Sequence, residues 1–342
     1  MFVWAPAPAG ILWPVSEQDN LARTPFAPGT YEVWFITLTD ASSGIGYWIR
    51  STLLNRRDRT SSAGVWFARF DPADPARTFG IHKAYGEAKV APDAFKVAIG
   101  DSLLRSGQAT GTVAGGGHRA QWDLQFLVGQ ATYSLLPDLL NRGPFAPTRA
   151  LSPNPHTRFS GTLSVDGETM GLEGVPGQQG HVWGSRHAER WAWAACSDFI
   201  DEDATLQVLT AQARRGPATT PFLTTVGVRW QDRWIRLWNL GRRRPFGLGR
   251  WRLDVGNRRY RVTGWVESPA WSLLRARYDD PDGTVRFCHN SEIASSRVAL
   301  FERRAGGFDE VALLESRGTT HAEWAGRTAA AAVARTVTEV GP

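Results

Sequence analysis

The segment from Gly180 to Trp193 places histidine side chains among tryptophans. His181 and Trp183 are two positions apart, so in a strand their side chains share one face, and Trp191 and Trp193 share a face in the same way. An imidazole among indoles could act as a general acid/base in a dry pocket, or it could face a cationic intermediate that the rings stabilise. It could equally be a hydrogen-bonded core histidine packed by tryptophans. His181 is therefore a candidate catalytic residue, with a structural role as the alternative.

An acidic residue begins an otherwise apolar strand face near the N-terminus. Glu32, Trp34, Ile36 and Leu38 alternate onto one side of the predicted strand, and only Glu32 is polar. A carboxyl group in such a place is either buried and paired with an arginine, or unpaired with a raised pKa. The first case makes Glu32 a structural residue, and the second makes it a candidate proton donor.

The sequence contains no pattern typical of a metal site or of a cofactor site. His181 and His187 are six positions apart without a third ligand nearby, whereas zinc sites have more ligands at closer spacing. No Gly-x-Gly-x-x-Gly follows a strand and opens a helix, and no serine lies in a Gly-x-Ser-x-Gly turn. Cys196 and Cys288 are expected to be small core residues rather than nucleophiles. We therefore expect neither a metal nor a cofactor.

The elements that must position these residues are predicted to be strands. The segment from Ala120 to Val128 alternates, with Trp122, Leu124 and Phe126 on one face and Asp123 on the other. Short strands of this kind between turns rich in glycine and aspartate predict an antiparallel all-β chain, as a barrel or a sandwich. No repeat of strand followed by helix is present, which argues against a parallel α/β fold.

The C-terminal part of the chain has the features of a helix. Thr320 and Glu323 match a capping box, in which the two side chains satisfy each other's free backbone amides. The alanine-rich run that follows has high helix propensity. We expect a C-terminal α-helix from Ala322 to Val337.

A proline-rich segment near the middle of the chain is a candidate linker. The stretch from Asn141 to His156 contains four prolines and little periodicity. Proline disfavours both a helix interior and a central strand. We expect the domain boundary there, with residues 1–148 as an N-terminal domain and residues 149–342 as a C-terminal domain.

Composition limits the class of protein. Of the 342 residues, 42% are hydrophobic and 21% are charged, which excludes disorder as the main state. No run of about 18 apolar residues occurs, so no membrane-spanning helix is expected. The 16 tryptophans favour strands and large apolar cavities. With two cysteines and no signal-peptide pattern at the N-terminus, the expected location is the cytoplasm.

The net charge of +6 includes a run of three arginines, Arg242, Arg243 and Arg244, with Trp238 and Trp251 nearby. Basic residues mixed with aromatic residues can bind anionic lipid or nucleic acid. A solvated hairpin is the plainer interpretation, because the tryptophans alternate with polar residues. We keep peripheral membrane contact through the three arginines as an alternative, and we expect no nucleic-acid partner.

Paired motifs in the two halves resemble a known superfamily. The motifs are Glu32-x-Trp34-Phe35, His181-x-Trp183-Gly184, Trp191-x-Trp193 and the run from His289 to Glu292. They resemble the tocopherol cyclases, the carotenoid 1,2-hydratases and the AttH-like proteins. This resemblance implies an all-β chain of two tandem lipocalin-like (calycin-type) antiparallel barrels. It also implies that His181 and Trp183 line a cavity. We expect Trp183, Trp34, Trp191 and Trp193 to be the substrate-binding residues.

The proton donor of those hydratases is not matched in this sequence. The hydratases use a tyrosine and an aspartate on the strand that follows the His-x-Trp pair. The corresponding segment here, from Leu206 to Ala213, has neither residue. A different acid is needed, and the carboxylates near aromatic strands are Glu32, Asp123 and Asp198.

Three functions fit these observations. The first is an enzyme that binds an isoprenoid- or lipid-like molecule in a barrel cavity and performs cofactor-free cyclisation, hydration or isomerisation of an alkene. A carboxylic acid with a raised pKa would protonate the double bond, and tryptophan faces would stabilise the carbocation. The second is a carrier of an apolar ligand without turnover. The third is a structural module whose tryptophans fill both barrels.

Overall fold

The computed structural model describes residues 15–129, 131–142 and 146–341, and strands make up nearly all of their regular structure. The short helices are α1 (Val15–Asn20) and α2 (Asp138–Arg142), with 3-10 turns at Pro75–Arg77 and Ala270–Ser272. The earlier strands are β1 (Thr30–Asp40), β2 (Ile45–Asn55), β3 (Ser61–Phe70), β4 (Phe79–Tyr85), β5 (Lys89–Val90), β6 (Lys96–Ile99), β7 (Ser102–Arg105), β8 (Gln108–Gly115), β9 (His118–Phe126), β10 (Tyr133–Ser134), β11 (Thr148–Val165) and β12 (Glu168–Gly184). The later strands are β13 (Arg190–Cys196), β14 (Ala204–Gln212), β15 (Arg214–Arg215), β16 (Ala218–Thr219), β17 (Phe222–Trp230), β18 (Arg233–Gly241), β19 (Phe246–Gly247), β20 (Arg250–Gly256), β21 (Tyr260–Glu267), β22 (Leu274–Asp279), β23 (Val285–Arg304), β24 (Gly307–Gly326) and β25 (Thr338–Val340). No helix in the described ranges is long and apolar enough to cross a membrane.

Two large sheets contain nearly all of these strands. The first has the hydrogen-bonded order β25-β4-β3-β2-β1-β12-β11-β9-β8-β7-β6-β5, and β10 pairs with β11. The second has the order β18-β17-β14-β13-β24-β23-β21-β20-β19, and β22 pairs with β23. Strand β25 runs parallel to β4, whereas pairs such as β1 with β2 and β23 with β24 are antiparallel. The predicted all-β class is confirmed.

Within the described residues neither sheet closes into a barrel, contrary to the prediction of two lipocalin-like barrels. Each hydrogen-bonded path has two ends, and the end strands β5, β19 and β25 contain only two or three residues each. Such short edge strands offer few backbone N–H and C=O groups for joining the two ends of a sheet. The architecture is therefore two open sheets.

The predicted C-terminal helix is wrong. The segment from Thr320 to Gly326 belongs to β24, and residues 327–341 contain no helix. Strand β24 pairs with β23 on one side and with β13 on the other, and Ala322 and Trp324 are buried in a hydrophobic core. This tertiary pairing outweighs the helix propensity of alanine. The hydroxyl of Thr320 bonds with Ser316, 2.8 Å away, instead of capping a helix.

The predicted linker is partly a central strand. Strand β11 begins at Thr148 and lies between β12 and β9 in the first sheet. Its prolines at positions 153 and 155 lie where the register shifts, next to Asn154, so the ladder tolerates their missing N–H groups. The chain passes to the second sheet between Gly184 and Arg190. The predicted boundary at 148/149, as a limit between folding units, stays a prediction.

Alternation along the strands distributes side chains among three hydrophobic cores. The first core is enclosed by the first sheet and includes Trp34 of β1. The second is enclosed by the second sheet and includes Ala194 of β13. The third contains residues of both sheets, including Trp48 of β2 and Trp193 of β13. Neighbouring residues on β1 and on β13 therefore point either into one sheet or into the space between the sheets.

Candidate functional site

A cavity of about 430 Å³ lies between the two sheets, and we call it the inter-sheet cavity. Phe35 and Trp48 of the first sheet and Trp191, Trp193 and Leu209 of the second contribute to its apolar wall. Its volume lies in the range of small-molecule sites, roughly 300–1,000 Å³. Its polar side chains are Tyr31, Arg50, Thr148, His187, Arg215, Thr220, Tyr278, Asn290, Glu292 and Glu323. The cavity was predicted inside a barrel, but the interior of each sheet is filled by its own core.

The predicted substrate-binding residues Trp191 and Trp193 line this cavity. Both side chains are buried on β13, and the Trp193 ring meets Phe35 edge-on at a centroid distance of 5.7 Å. The Trp191 ring stacks against His187 at 5.7 Å. The two indoles thus form part of an aromatic wall, a surface that can stabilise a nearby cation.

Glu292 on β23 is a carboxylic acid at the wall of the inter-sheet cavity. Its exposed fraction is only 2%, and burial raises the pKa of its carboxyl above the usual range. A hydrogen bond with His321 Nδ1 at 2.5 Å opposes this shift without reversing it. A proton on Glu292 is therefore retained to higher pH than on an exposed glutamate, as a general acid requires.

A second carboxylate, Glu323 on β24, lies on the same wall. Its Oε1 accepts a hydrogen bond from Trp191 Nε1 at 2.5 Å, and its Oε2 accepts one from Cys288 Sγ at 3.2 Å. Burial, reinforced by the charge of Glu323, raises the pKa of the Cys288 thiol well above its usual range. Cys288 therefore acts as a protonated donor. This fits its predicted role as a core residue rather than a nucleophile.

Glu32 and His181, far apart in the sequence, meet in a separate buried cluster. Both side chains are fully buried, and His181 Nε2 lies 2.8 Å from Glu32 Oε1. The other ring nitrogen, Nδ1, lies 2.6 Å from the backbone oxygen of Asp19. Trp34 stacks on the imidazole at 5.0 Å, and Trp183 packs beside it at 4.7 Å. We call these residues the Glu32–His181 cluster.

This cluster fixes the segment that precedes β1. The backbone N–H groups of Arg23 and Thr24 donate to the two oxygens of Glu32, at 2.6 and 2.9 Å. Trp34 Nε1 donates to the backbone oxygen of Asn20 at 3.0 Å. The predicted pairing of Glu32 is therefore found, but its side-chain partner is His181 rather than an arginine.

The Glu32–His181 cluster and the inter-sheet cavity lie on opposite faces of the same strands. On β1 the cavity is lined by Val33, whereas Glu32 and Trp34 point the other way; on β12 it is lined by Val182, between His181 and Trp183. Trp34, His181 and Trp183 therefore do not line the inter-sheet cavity. His181 on β12 and Trp193 on β13 also belong to different sheets.

The remaining predicted acids are outside the inter-sheet cavity. Asp123 is exposed on β9, and Asp198 is half-buried in the loop after β13, where its backbone oxygen accepts hydrogen bonds from Cys196 and Thr319. Sequence reasoning missed Glu292 and Glu323 as site residues. Glu292 lies within the run from His289 to Glu292 that carries the family resemblance. It is two positions from Asn290, which also lines the cavity, and this spacing could have indicated that the two side chains share one strand face.

No group of three or more metal-ligating side chains occurs in the part of the chain that the structure describes. His187, which lies six positions after His181, is held by a carboxylate. Its Nδ1 lies 2.7 Å from Asp280 Oδ1, and its ring stacks on Tyr31 at 4.1 Å. His187 is thus held at the wall of the inter-sheet cavity by a carboxylate and an aromatic ring.

Several known proteins are similar to this chain. A family model described as tocopherol cyclase-like matches residues 151–326. Uncharacterized proteins from two strains of Mycobacterium tuberculosis are each 26% identical over 287 residues, which covers 82% of this chain and 84% of theirs. The crystal structure of an AttH-like protein from Nitrosomonas europaea has a TM-score of 0.56 at 16% identity and covers 95% of this chain and 100% of that chain, which shows a shared fold. Kievitone hydratase from Nectria haematococca has a TM-score of 0.49 at 10% identity, over 93% of this chain and 94% of that chain. Because the family model spans more than half of the sequence, the chain belongs to the tocopherol cyclase-like family.

Proposed function

We propose that the protein binds an apolar, isoprenoid- or lipid-like molecule in the inter-sheet cavity and catalyses cofactor-free cyclisation, hydration or isomerisation of an alkene. The observation that carries this proposal is Glu292, a buried acid with a raised pKa on the wall of an aromatic cavity. Membership in the tocopherol cyclase-like family supports the same class of chemistry.

The proposed reaction begins with proton transfer from Glu292. The proton forms a C–H bond at one alkene carbon, and the other carbon becomes cationic beside the faces of Trp191 and Trp193. Loss of a neighbouring proton gives an isomer, attack by a hydroxyl group of the same molecule gives a ring, and attack by water gives an alcohol. Each route releases one proton, which returns to the Glu292 carboxylate. His321, hydrogen-bonded to Glu292, positions that carboxylate.

A carrier without turnover uses the same cavity, so ligand binding is tested first. Native mass spectrometry of protein purified from its own host is expected to show a bound apolar molecule. Replacing Ala211 by Trp places an indole in the cavity, so the bound molecule should be lost. The matched control Ala218→Trp, an exposed change on β16, should retain it. A wild-type protein that carries no apolar molecule and binds none added to it contradicts the proposal.

We also propose that the protein contacts anionic membranes through Arg242, Arg243 and Arg244. The three side chains are exposed, and two exposed apolar side chains precede them on β18, Trp238 at 57% and Leu240 at 61%. Leu240 also lines the inter-sheet cavity, so this surface adjoins the proposed binding site. Arginines beside exposed apolar groups suit a negatively charged lipid surface.

Co-sedimentation with vesicles tests the membrane contact. The protein is expected to bind vesicles of phosphatidylcholine mixed with phosphatidylserine, and to bind phosphatidylcholine alone more weakly. Replacing all three arginines by Gln should weaken binding by roughly 1 kcal/mol per arginine. Trp238→Ser should weaken binding to both kinds of vesicle. Equal binding of wild type and the triple variant would show that these arginines make no membrane contact.

A further inference from the structure

Arg50 on β2 is a buried cation for which the described residues supply no counter-ion. Its exposed fraction is 7%, and its guanidinium carbon lies over three rings, 4.1 Å from the centroid of Tyr278, 5.4 Å from Trp66 and 5.5 Å from Trp48. In the part of the chain that the structure describes, its Nε has no hydrogen-bond partner, and no carboxylate lies within ion-pair distance of its guanidinium. The aromatic rings compensate part of the cost of burying the charge, but none of them accepts its N–H groups in the plane of the guanidinium.

Arg50 lies where two cavities meet. It lines the inter-sheet cavity and also a second pocket of about 320 Å³, which we call the polar pocket. Tyr31, His187 and Tyr278 likewise line both. A molecule with its apolar part in the inter-sheet cavity can therefore direct a polar end at Arg50.

The other charged groups around Arg50 already have partners. In the polar pocket, Asp279 lies 2.9 Å from both Arg56 and Arg277, and His82 bonds with Glu339. In the inter-sheet cavity, Glu292 bonds with His321, and Glu323 bonds with Trp191 and Cys288. Arg50 is thus the cation that the described residues leave uncompensated at this junction.

We infer that Arg50 binds the carboxylate head group of an amphipathic ligand whose apolar chain occupies the inter-sheet cavity. This inference rests on the proposed function and specifies the substrate class. A planar guanidinium matches a carboxylate with two parallel N–H···O bonds. A single cation balances the one negative charge of a carboxylate, whereas a phosphate monoester carries about −1.5 to −2 at neutral pH.

A pair of ligands that share one chain tests this head-group selectivity. Binding of dodecanoic acid and of 1-dodecanol is measured by titration calorimetry at pH 8, where the acid is ionised. The wild type should bind dodecanoate at least about tenfold more tightly than the alcohol, because only the acid forms charge-assisted hydrogen bonds with the guanidinium. Arg50→Gln should abolish this preference for the acid, while its affinity for the alcohol stays close to that of the wild type. The matched control Arg56→Gln, a change to an arginine already paired in the polar pocket, should preserve it.

The outcomes separate the two proposals. Equal affinity of the wild type for the acid and the alcohol overturns the carboxylate site and leaves apolar binding in the cavity intact. Binding of neither molecule, nor of any other apolar molecule, overturns both. If Arg50→Gln does not fold, Arg50→Lys keeps the charge but loses the planar fork, and it should reduce the preference without abolishing it. An unchanged preference in either folded variant also overturns the inference.

Discussion

Replacing Glu292 by Gln is expected to reduce turnover by about 10²–10⁴-fold, the usual contribution of a general acid, while the ligand still binds. Glutamine has nearly the shape of the acid and can still bond with His321, but it has no proton to give to an alkene. Turnover is measured on the molecule identified by native mass spectrometry, and binding is measured separately by calorimetry. Glu302→Gln, on the same strand but outside the cavity, is the matched control and should leave both unchanged.

The pH dependence supplies a second measurement on Glu292. Burial raises the pKa of its carboxyl, so the proton-donating form is present below that raised pKa and is lost as the pH rises through it. Turnover should fall over the same interval in the wild type, and the residual rate of Glu292→Gln should not show that step. The protonated carboxyl also stabilises the fold. Its contribution to the free energy of unfolding is complete below the pKa that Glu292 has in the unfolded chain, and it is lost as the pH rises through the higher pKa of the folded protein. Full turnover in the variant would exclude Glu292 as the acid, and a ligand that binds but is never converted would favour the carrier.

Replacing Glu32 by Gln is expected to lower the free energy of unfolding by about 3–5 kcal/mol, the typical loss when one partner of a buried ion pair is removed. Each oxygen of Glu32 accepts a backbone N–H, from Arg23 or from Thr24. A glutamine amide must turn its NH₂ toward one of these donors, and it also removes the negative charge beside His181. Urea unfolding measures the loss, with the exposed change Glu310→Gln as the control.

Ligand binding by a folded Glu32→Gln protein should be close to normal, because Glu32 points away from the inter-sheet cavity. A variant that keeps its stability but loses turnover would instead support the catalytic role predicted for Glu32 and His181 from the sequence. A variant that keeps both its stability and its turnover would show that Glu32 is neither a structural nor a catalytic residue.

Local patterns predicted the strands, because alternation reflects one strand and its two faces. The predicted faces of β9 are confirmed: Trp122, Leu124 and Phe126 are buried, whereas Asp123 is exposed. The alanine-rich C-terminal segment led to the wrong prediction of a helix. The part of it within β24 is held by two neighbouring strands, and this pairing outweighs its own helix propensity.

The candidate site was harder to predict because it is made of distant contacts. The partner of Glu32 lies 149 positions later in the chain, and no local pattern identifies it. The inter-sheet cavity requires knowing how the two sheets pack, and that packing decides that Trp193 lines it while His181 does not. Aromatic richness alone predicted an apolar cavity but could not locate it.

The parallel pairing of β25 with β4 has a consequence for a chain emerging from the ribosome. Strand β25 follows every strand of the second sheet, yet it covers the edge of β4, where Glu339 bonds with His82. About 250 residues separate the two strands. Because the ribosome adds roughly 5–20 residues per second, this edge of β4 stays unpaired for on the order of 10–50 s. During that interval the nascent protein presents an unpaired strand edge, to which another nascent chain could add. Crowded polysomes and slow translation should therefore favour its aggregation, whereas the completed chain has this edge covered.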